Sequence, residues 1–398
     1  MIPRFLPRLP RLVWLLGLVS FFNDLASEMV VPLVPLLLAA MGGSPALALG
    51  FIEGAAEALA SLLKLWAGTH SDRRAGARKG LTVAGYALSN AVRPLIALAA
   101  HWSGILGVRL ADRVGKGLRS APRDALIALA VDANRRGAAF GLHRAFDNGG
   151  ALAGALAAAA VLAWHHDDLQ AAIWTSVVPG ALCVLMILLA VREPTPAPTP
   201  GAARPGGAAL AAPAPALKPY LALVAAFTLG KLPETFLLLR GYQLGMRPVA
   251  LMLLWAVYSA AKAATSYAGG HYADRLGLRA WMRLAWLGTA MGLLLLAGAG
   301  TPWSLAGASV AFGALFGLSE GGERALVAEA ARKLAMGAGF GWYHLVTGLA
   351  AIPGGLLMGV VWTRLGAPYA FGLSALTVAL CALAVVHLPR AAETAAVR

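Results

Sequence analysis

The chain has 398 residues, 59% of them hydrophobic and only 13% charged, against roughly 25% charged in an ordinary soluble protein. That composition excludes a soluble enzyme, a disordered chain and a nucleic-acid-binding module. The formal charge of +15 comes from 33 Lys and Arg set against 18 Asp and Glu, and the cations fall mostly in short loops between apolar runs, which is how membrane topology is encoded.

Twelve apolar runs follow one another, at about 12–39, 46–67, 80–100, 103–122, 138–163 and 169–191, then 219–239, 249–271, 280–299, 302–322, 337–363 and 367–388, each near the roughly 20 residues that a bilayer span requires. Backbone groups in lipid must be satisfied within their own segment, so runs of this length are predicted to be helices. The run beginning at Leu12 is too long for a signal-peptide core and is read as the first span. Cys183 and Cys381 both lie inside apolar runs and read as small packing residues, with no disulfide or metal site implied.

Lys and Arg set the orientation. Arg4, Arg8 and Arg11 precede the first run; Arg73, Arg74, Arg78 and Lys79 follow the second; Arg135 and Arg136 follow the fourth. Arg192, Arg204 and Lys218, then Arg275 and Arg279, then Arg332 and Lys333 continue the alternation, with Arg247 and Arg364 as exceptions on the other side. Both termini are expected in the cytoplasm. A Pro-, Ala- and Gly-rich stretch, 193–217, reads as a linker dividing an N-terminal half, 1–192, from a C-terminal half, 218–398.

The halves repeat. Asp124-Ala-Leu-Ile-Ala128 lies over Arg324-Ala-Leu-Val-Ala328 and Gly137-Ala-Ala-Phe-Gly141 over Gly337-Ala-Gly-Phe-Gly341, while Gly154 meets Gly354. Gly68-Thr-His-Ser-Asp72-Arg73 lies over Gly270-His-Tyr-Ala-Asp274-Arg275. The expected fold is an all-α membrane protein of 12 transmembrane helices in two pseudo-symmetric six-helix bundles. A parallel repeat of that kind places a pathway between the halves and permits alternating access.

The loops Gly68-x-x-x-Asp72-Arg73 and Gly270-x-x-x-Asp274-Arg275-Leu276-Gly277 resemble the signature loop of the major facilitator superfamily, and Arg135-Arg136-Gly137-x-x-Phe140-Gly141 and Gly337-x-x-Phe340-Gly341 resemble the entries to its fifth and eleventh spans. The resemblance covers nearly the whole chain. It implies a secondary transporter in which Gly68, Asp72, Arg73, Gly270, Asp274 and Arg275 act as a gating latch. Carboxylates favour helix N-termini and guanidinium groups favour carboxylates. Gly150-x-x-x-Gly154 is similar to a pattern of the superfamily's antiporters, with Ala155 in the place of their proline.

Ionisable groups at membrane depth are functional candidates. Asn23, Asp24 and Glu28 fall in the first span, and the two carboxylates, four apart, share a face. A carboxylate in a low-dielectric cavity binds and releases a proton near neutral pH. Glu53, Glu57 and Lys64 form a stripe on the second span; Arg109, Asp112, Arg113 and Lys116 form a polar face on the fourth, where Arg109 resembles a basic residue of the superfamily. His143, Arg144 and Asp147 open the fifth span, and His143 and Asp147, four apart, can form a proton relay. Lys231 and Glu234 lie in the seventh span, Lys262 in the eighth and Glu320 in the tenth, with Glu323 and Arg324 at its end as a gate.

Asp24, Glu28, Asp147 and His143 are thus the expected proton-coupling groups. Asn23, Glu53, Glu57, Arg109, Asp112, Arg113, Arg144, Lys231, Glu234 and Glu320 are the expected substrate ligands. The sequence holds no phosphate loop, metal-ligand spacing or nucleophile elbow, so no cofactor and no enzymatic activity are expected. The reading is proton-coupled export of a small polar organic molecule by a monomer in a bacterial cytoplasmic membrane. Uptake of a small organic anion by proton symport, lipid flipping and a non-transporting sensor are the alternatives.

Overall fold

The computed structural model describes residues 9–73, 77–131, 136–190, 217–319 and 336–388, and every element among them is helical. They are α1 (Arg11–Glu28), α2 (Val34–Ala40), α3 (Pro45–Arg73), α4 (Ala77–Val92), α5 (Trp102–Leu129), α6 (Arg136–Trp164), α7 (Leu169–Thr175) and α8 (Val177–Ala190). They continue with α9 (Lys218–Gly230), α10 (Phe236–Gln243), α11 (Pro248–Leu276), α12 (Leu278–Gly298), α13 (Pro302–Gly317), α14 (Met336–Leu365) and α15 (Ala367–Ala384). Among the described residues, nine stretches are long and apolar enough to cross a bilayer. α8, α12 and α15 turn Leu182, Leu185, Leu189, Leu294, Leu376 and Leu380 outward, as helices bordering lipid do.

Three of the expected runs differ from a plain apolar span among the described residues. The fourth is α5, a 28-residue helix that carries Arg109, Asp112, Arg113, Lys116, Arg119, Arg123 and Asp124; its charges keep it below the apolarity of a lipid-facing span. The seventh is two helices, α9 and α10, parted at Lys231, Leu232 and Pro233, because Pro233 has no N–H to continue the ladder. The tenth is a shorter apolar helix, Pro302–Gly317. The first run also breaks as its prolines require: α1 stops at Glu28, a 3₁₀ turn spans Val31–Leu33 and Pro35 sits in the first turn of α2.

Two compact units result. One comprises Met1–Val31 and Leu62–Ala208, the other Pro32–Ser61 and Ala209–Arg398. In the first, α1 packs along α6, and α4 along α5. A core of Val13, Leu16, Val19, Tyr86, Leu126, Ile127, Cys183 and Ile187 lies among α1, α4, α5 and α8. Gly154 of α6 rests on the backbone of α1 at Leu25, with no room for a Cβ.

The second unit repeats that contact: Gly354 of α14 rests on the backbone of α9 at Thr228 and Leu229. Its glycines also admit the segment of α3 between Pro45 and Ser61. Gly50 and Gly355 meet backbone to backbone, Gly54 lies on Ala351 and Ile352, and Gly359 on Ala46 and Leu47. Small residues permit such close approach where apolar surroundings supply no hydrophobic force.

Candidate functional site: two buried ionic clusters

In the first unit, α1, α4 and α5 carry polar groups to one buried place. Asn23 is 2% exposed, Arg93 2%, Arg109 1% and Asp112 3%. Arg93 lies in the 3₁₀ turn Arg93–Leu98 that follows α4, where the helix tightens just before Pro94. Its Nη2 donates to Asp112 Oδ1 at 2.9 Å, and its Nη1 donates to Asn90 Oδ1 at 3.2 Å and to the Asn23 carbonyl at 3.4 Å. Arg109 Nη1 stands 3.6 Å from the other Asp112 oxygen. Asn90 donates to Asn23 Oδ1 at 3.3 Å, and Asn23 in turn donates to Asp24 Oδ1 at 2.9 Å. Asp24 therefore ends a chain of side-chain hydrogen bonds that begins at a buried ion pair.

Two turns further along α5, Arg119 donates to Ser89 Oγ at 2.6 Å and lies over the Tyr86 ring, 4.7 Å from its centroid. One more turn brings Arg123, which donates to Asp124 at 2.9 Å and to Tyr86 Oη and Ser20 Oγ at 3.4 Å each. Ser20 donates to Asp147 Oδ1. The second Asp147 oxygen is 3.4 Å from His143 Nδ1 and 3.8 Å from Arg144 Nη1. Ser20 and Asp24 are four apart on α1, so Asp147 and Asp24 share that face, and Asp24 sits in the fields of Asp147, Arg119 and Glu28.

A second cluster belongs to the second unit. At the break between α9 and α10, Glu234 accepts from Tyr258 Oη at 2.6 Å and from Lys262 Nζ at 3.1 Å. Lys262 also lies 4.9 Å from the centroid of the Phe316 ring, and Lys231 lies 4.4 Å from it on the same ring and 6.0 Å from that of Phe227. The opened backbone is satisfied by a side chain, since Leu232 N–H donates to Ser374 Oγ at 3.0 Å. An irregular stretch at membrane depth needs such a partner.

The sequence-predicted residues sort as follows. Asn23, Asp24, Arg109 and Asp112 converge; Arg113 flanks Asp112 and adds positive charge beside it. His143, Arg144 and Asp147 form the second group of that unit, and Lys231 and Glu234 the cluster of the other. Glu28 stands against Gly154. Glu53 and Glu57 lie on the part of α3 that packs with the second unit, where Glu57 accepts from Ser61 at 3.4 Å. Gly68, Asp72 and Arg73 belong to the last turns of α3, and Gly270, Asp274 and Arg275 to those of α11; their side chains lie outside the described part. Glu320, Glu323 and Arg324 lie outside the described residues. Gly277, closing α11, has φ +81°, a left-handed value that favours glycine after a helix.

Arg93, Asn90, Ser89, Tyr86 and Ser20 were not among the residues expected from sequence. Arg93 had a readable signal, an arginine deep inside an apolar run. The others are ordinary polar residues whose role depends on what faces them.

Residues 16–239 and 220–397 match the family model of the Major Facilitator Superfamily. The chain belongs to that superfamily. It is 28% identical to an uncharacterized MFS-type transporter of Methanocaldococcus jannaschii, over 88% of each chain. It is 29% identical to an uncharacterized protein of Mycobacterium tuberculosis, over 96% of this chain and 95% of that one. Among solved structures, the nucleoside transporter NupG superposes with a TM-score of 0.73 at 14% identity, covering 95% of this chain and 99% of that one. A D-xylose-proton symporter does so with a TM-score of 0.73 at 16% identity, covering 96% and 97%. At these identities the structures share the fold. Members of the superfamily are secondary transporters, and this member is a multi-pass membrane protein of that kind.

Proposed function

We propose that this superfamily member exports a small polar organic molecule in exchange for protons, by alternating access. The observation that carries the reading is the string of protonatable groups in the first unit: His143 and Asp147 on α6, and Asp24, bound to Asn23, on α1 beside Ser20. Carboxylates at membrane depth are costly to keep, and one held by an imidazole and a hydroxyl is suited to taking up and passing on a proton. The Asp112 ion pairs serve a different end: they fix α4 and α5 to each other so that the string keeps its geometry.

Substrate recognition in this reading falls to the second unit, where Lys231, Glu234, Tyr258 and Lys262 surround a helix break. Broken helices supply polar backbone and side chains at substrate sites of transporters. The export direction rests on the likeness of Gly150-x-x-x-Gly154 to the antiporter pattern, and the latch on Asp72 and Asp274 in the repeated loops. In this reading the protein works as a monomer with both termini in the cytoplasm, and its two units alternate, with the segment Pro32–Ser61 belonging to the second.

Reconstituted vesicles with an imposed pH gradient test this. Wild type is expected to accumulate a polar solute against its own gradient and to stop when an ionophore collapses the proton gradient. Asp24→Asn is expected to lose that accumulation while keeping exchange of labelled for unlabelled solute. Loss of both in equal measure would remove Asp24 from coupling. The sign of the gradient that drives accumulation separates export from proton symport.

A further inference from the structure

We propose that the Ser20 hydroxyl passes protons between Asp24 of α1 and Asp147 of α6. The inference rests on the proton-coupled reading above and names the group that joins its two carboxylates. Ser20 and Asp24 are four apart on α1, and residues at that spacing stand about 5–6 Å apart at Cβ. Ser20 donates to Asp147 Oδ1 and accepts from Arg123 Nη1 at 3.4 Å. Asp24 Oδ1 accepts from Asn23 at 2.9 Å, and among the described residues no donor takes its other oxygen. A hydroxyl has one proton and two lone pairs. With Arg123 on one lone pair, the proton and the second lone pair are left for the two carboxylates.

The helices that carry the three groups are locked together at this level. The Phe146 ring lies on Gly17, Gly150 on the backbone at Phe21 and Gly154 on the backbone at Leu25, with no room for a Cβ at any of the three glycines. The stretch from Gly17 to Leu25 brackets Ser20 and Asp24, so α1 and α6 touch along the whole path. Ser20 is 1% exposed, whereas Asp24 and Asp147 are only partly buried. The hydroxyl is thus sealed between two carboxylates that are not. Charged neighbours come from each packed helix. Asp147 meets His143 and Arg144 of α6 and Arg123 of α5, and Asp24 lies in the fields of Asp147, Arg119 of α5 and Glu28 of α1. Arg123 is held in turn by Asp124 and by Tyr86 of α4, Arg93 reaches the Asn23 carbonyl, and α8 offers Cys183 as its titratable group.

The step is a paired transfer. As it stands, the hydroxyl points at Asp147, the arrangement that carries a proton from Asp24 to Asp147. The O–H bond of protonated Asp24 breaks, its proton goes to the second lone pair of Ser20, and the original Ser20 proton goes to the Asp147 carboxylate. Ser20 ends neutral, with a new proton, and rotation of the hydroxyl readies the reverse transfer. The Arg123 charge beside the Ser20 oxygen disfavours a hydroxyl that holds both protons, so the two transfers run together.

The full-length protein in detergent, with no solute present, is given a rapid rise in pH, and the carbonyl stretch of its protonated carboxyl groups is followed by infrared spectroscopy. The Asp24 band is the one missing from Asp24→Asn. Its decay is expected to slow about tenfold or more in Ser20→Ala, with Ser20→Thr, which keeps the hydroxyl, near the wild-type rate. Asp147→Asn is expected to slow it as much, and Ser20→Ala/Asp147→Asn no further, as for two members of one path. In wild type, rates in mixtures of light and heavy water are expected to follow a curve, because two protons move at once. A straight line there overturns the paired step, and this measurement stands if Ser20→Ala misfolds. An unchanged Asp24 rate in folded Ser20→Ala, a Ser20→Thr as slow as Ser20→Ala, or additive effects in the double variant each overturn the path, and leave the transporter reading standing with Asp24 exchanging directly with water. An Asp24 band that appears at no pH where the protein is folded overturns both the path and the role of Asp24 in coupling.

Discussion

Asp112 shows how much a single residue decides. It holds two arginines, Arg93 and Arg109, each 2% exposed or less. Removing one partner of a buried pair leaves an uncompensated buried charge, which costs about 3–5 kcal/mol, whereas replacing the whole group by apolar residues is often neutral or better. Asp112→Leu and Arg93→Met are therefore each expected to lose most of their folded yield in detergent, and the double variant Arg93→Met/Asp112→Leu to regain part of it. Melting curves for both single variants and the double variant form the cycle that checks this. Ser374 makes the same point with a neutral group. Ser374→Ala strips the acceptor from the Leu232 N–H in the α9–α10 break, and a buried donor left without a partner costs about 1–3 kcal/mol. A melting temperature equal to that of wild type would mean that water or another group takes its place.

Among elements, the seam of α3 with α14 is the most demanding. Gly50, Gly54, Gly355 and Gly359 bring two backbones together with no space for a Cβ at any of them. Gly355→Ala must push the helices apart, and overpacking of this kind costs about 1–3 kcal/mol. Gly307 of α13 faces open space, so Gly307→Ala is expected to be neutral or to stabilise by about 0.5–1 kcal/mol through helix propensity alone. Thermal melts of the two variants, run side by side, separate a packing glycine from an idle one. The equivalence of Gly154 and Gly354 was visible in the aligned repeat, and each rests on a neighbouring helix backbone. The α3–α14 seam was not, since its two helices meet only in the folded protein and neither sequence segment resembles the other.

At the scale of the whole molecule, the chain's compact units do not follow its sequence order. Residues Pro32–Ser61 pack with Ala209–Arg398. A C-terminal half expressed alone, without that segment, lacks the partner of its α14 glycines. It is expected to be degraded or aggregated, and to recover when co-expressed with residues 1–192. Equal yield of the half with and without its partner, judged by size-exclusion chromatography, would show that the segment is dispensable.

Helical class, membrane residence and superfamily were all decided by the sequence, because apolar runs of bilayer length admit only helices and because the Gly-x-x-x-Asp-Arg loops recur in both halves. The sequence also marked most of the embedded charges, since each interrupts an apolar run at a visible spacing. What it left open was pairing. Arg109 and Asp112 read as one face of α5, but the strongest partner of Asp112 is Arg93, from a different helix and 2.9 Å away. Lys231 and Glu234 read as two charges of one span, but the span is broken between them and Glu234 is held by α11. Spacing along a helix fixes which face a residue occupies. Only the packing of one helix on another fixes what that face meets, and with it which charges pair.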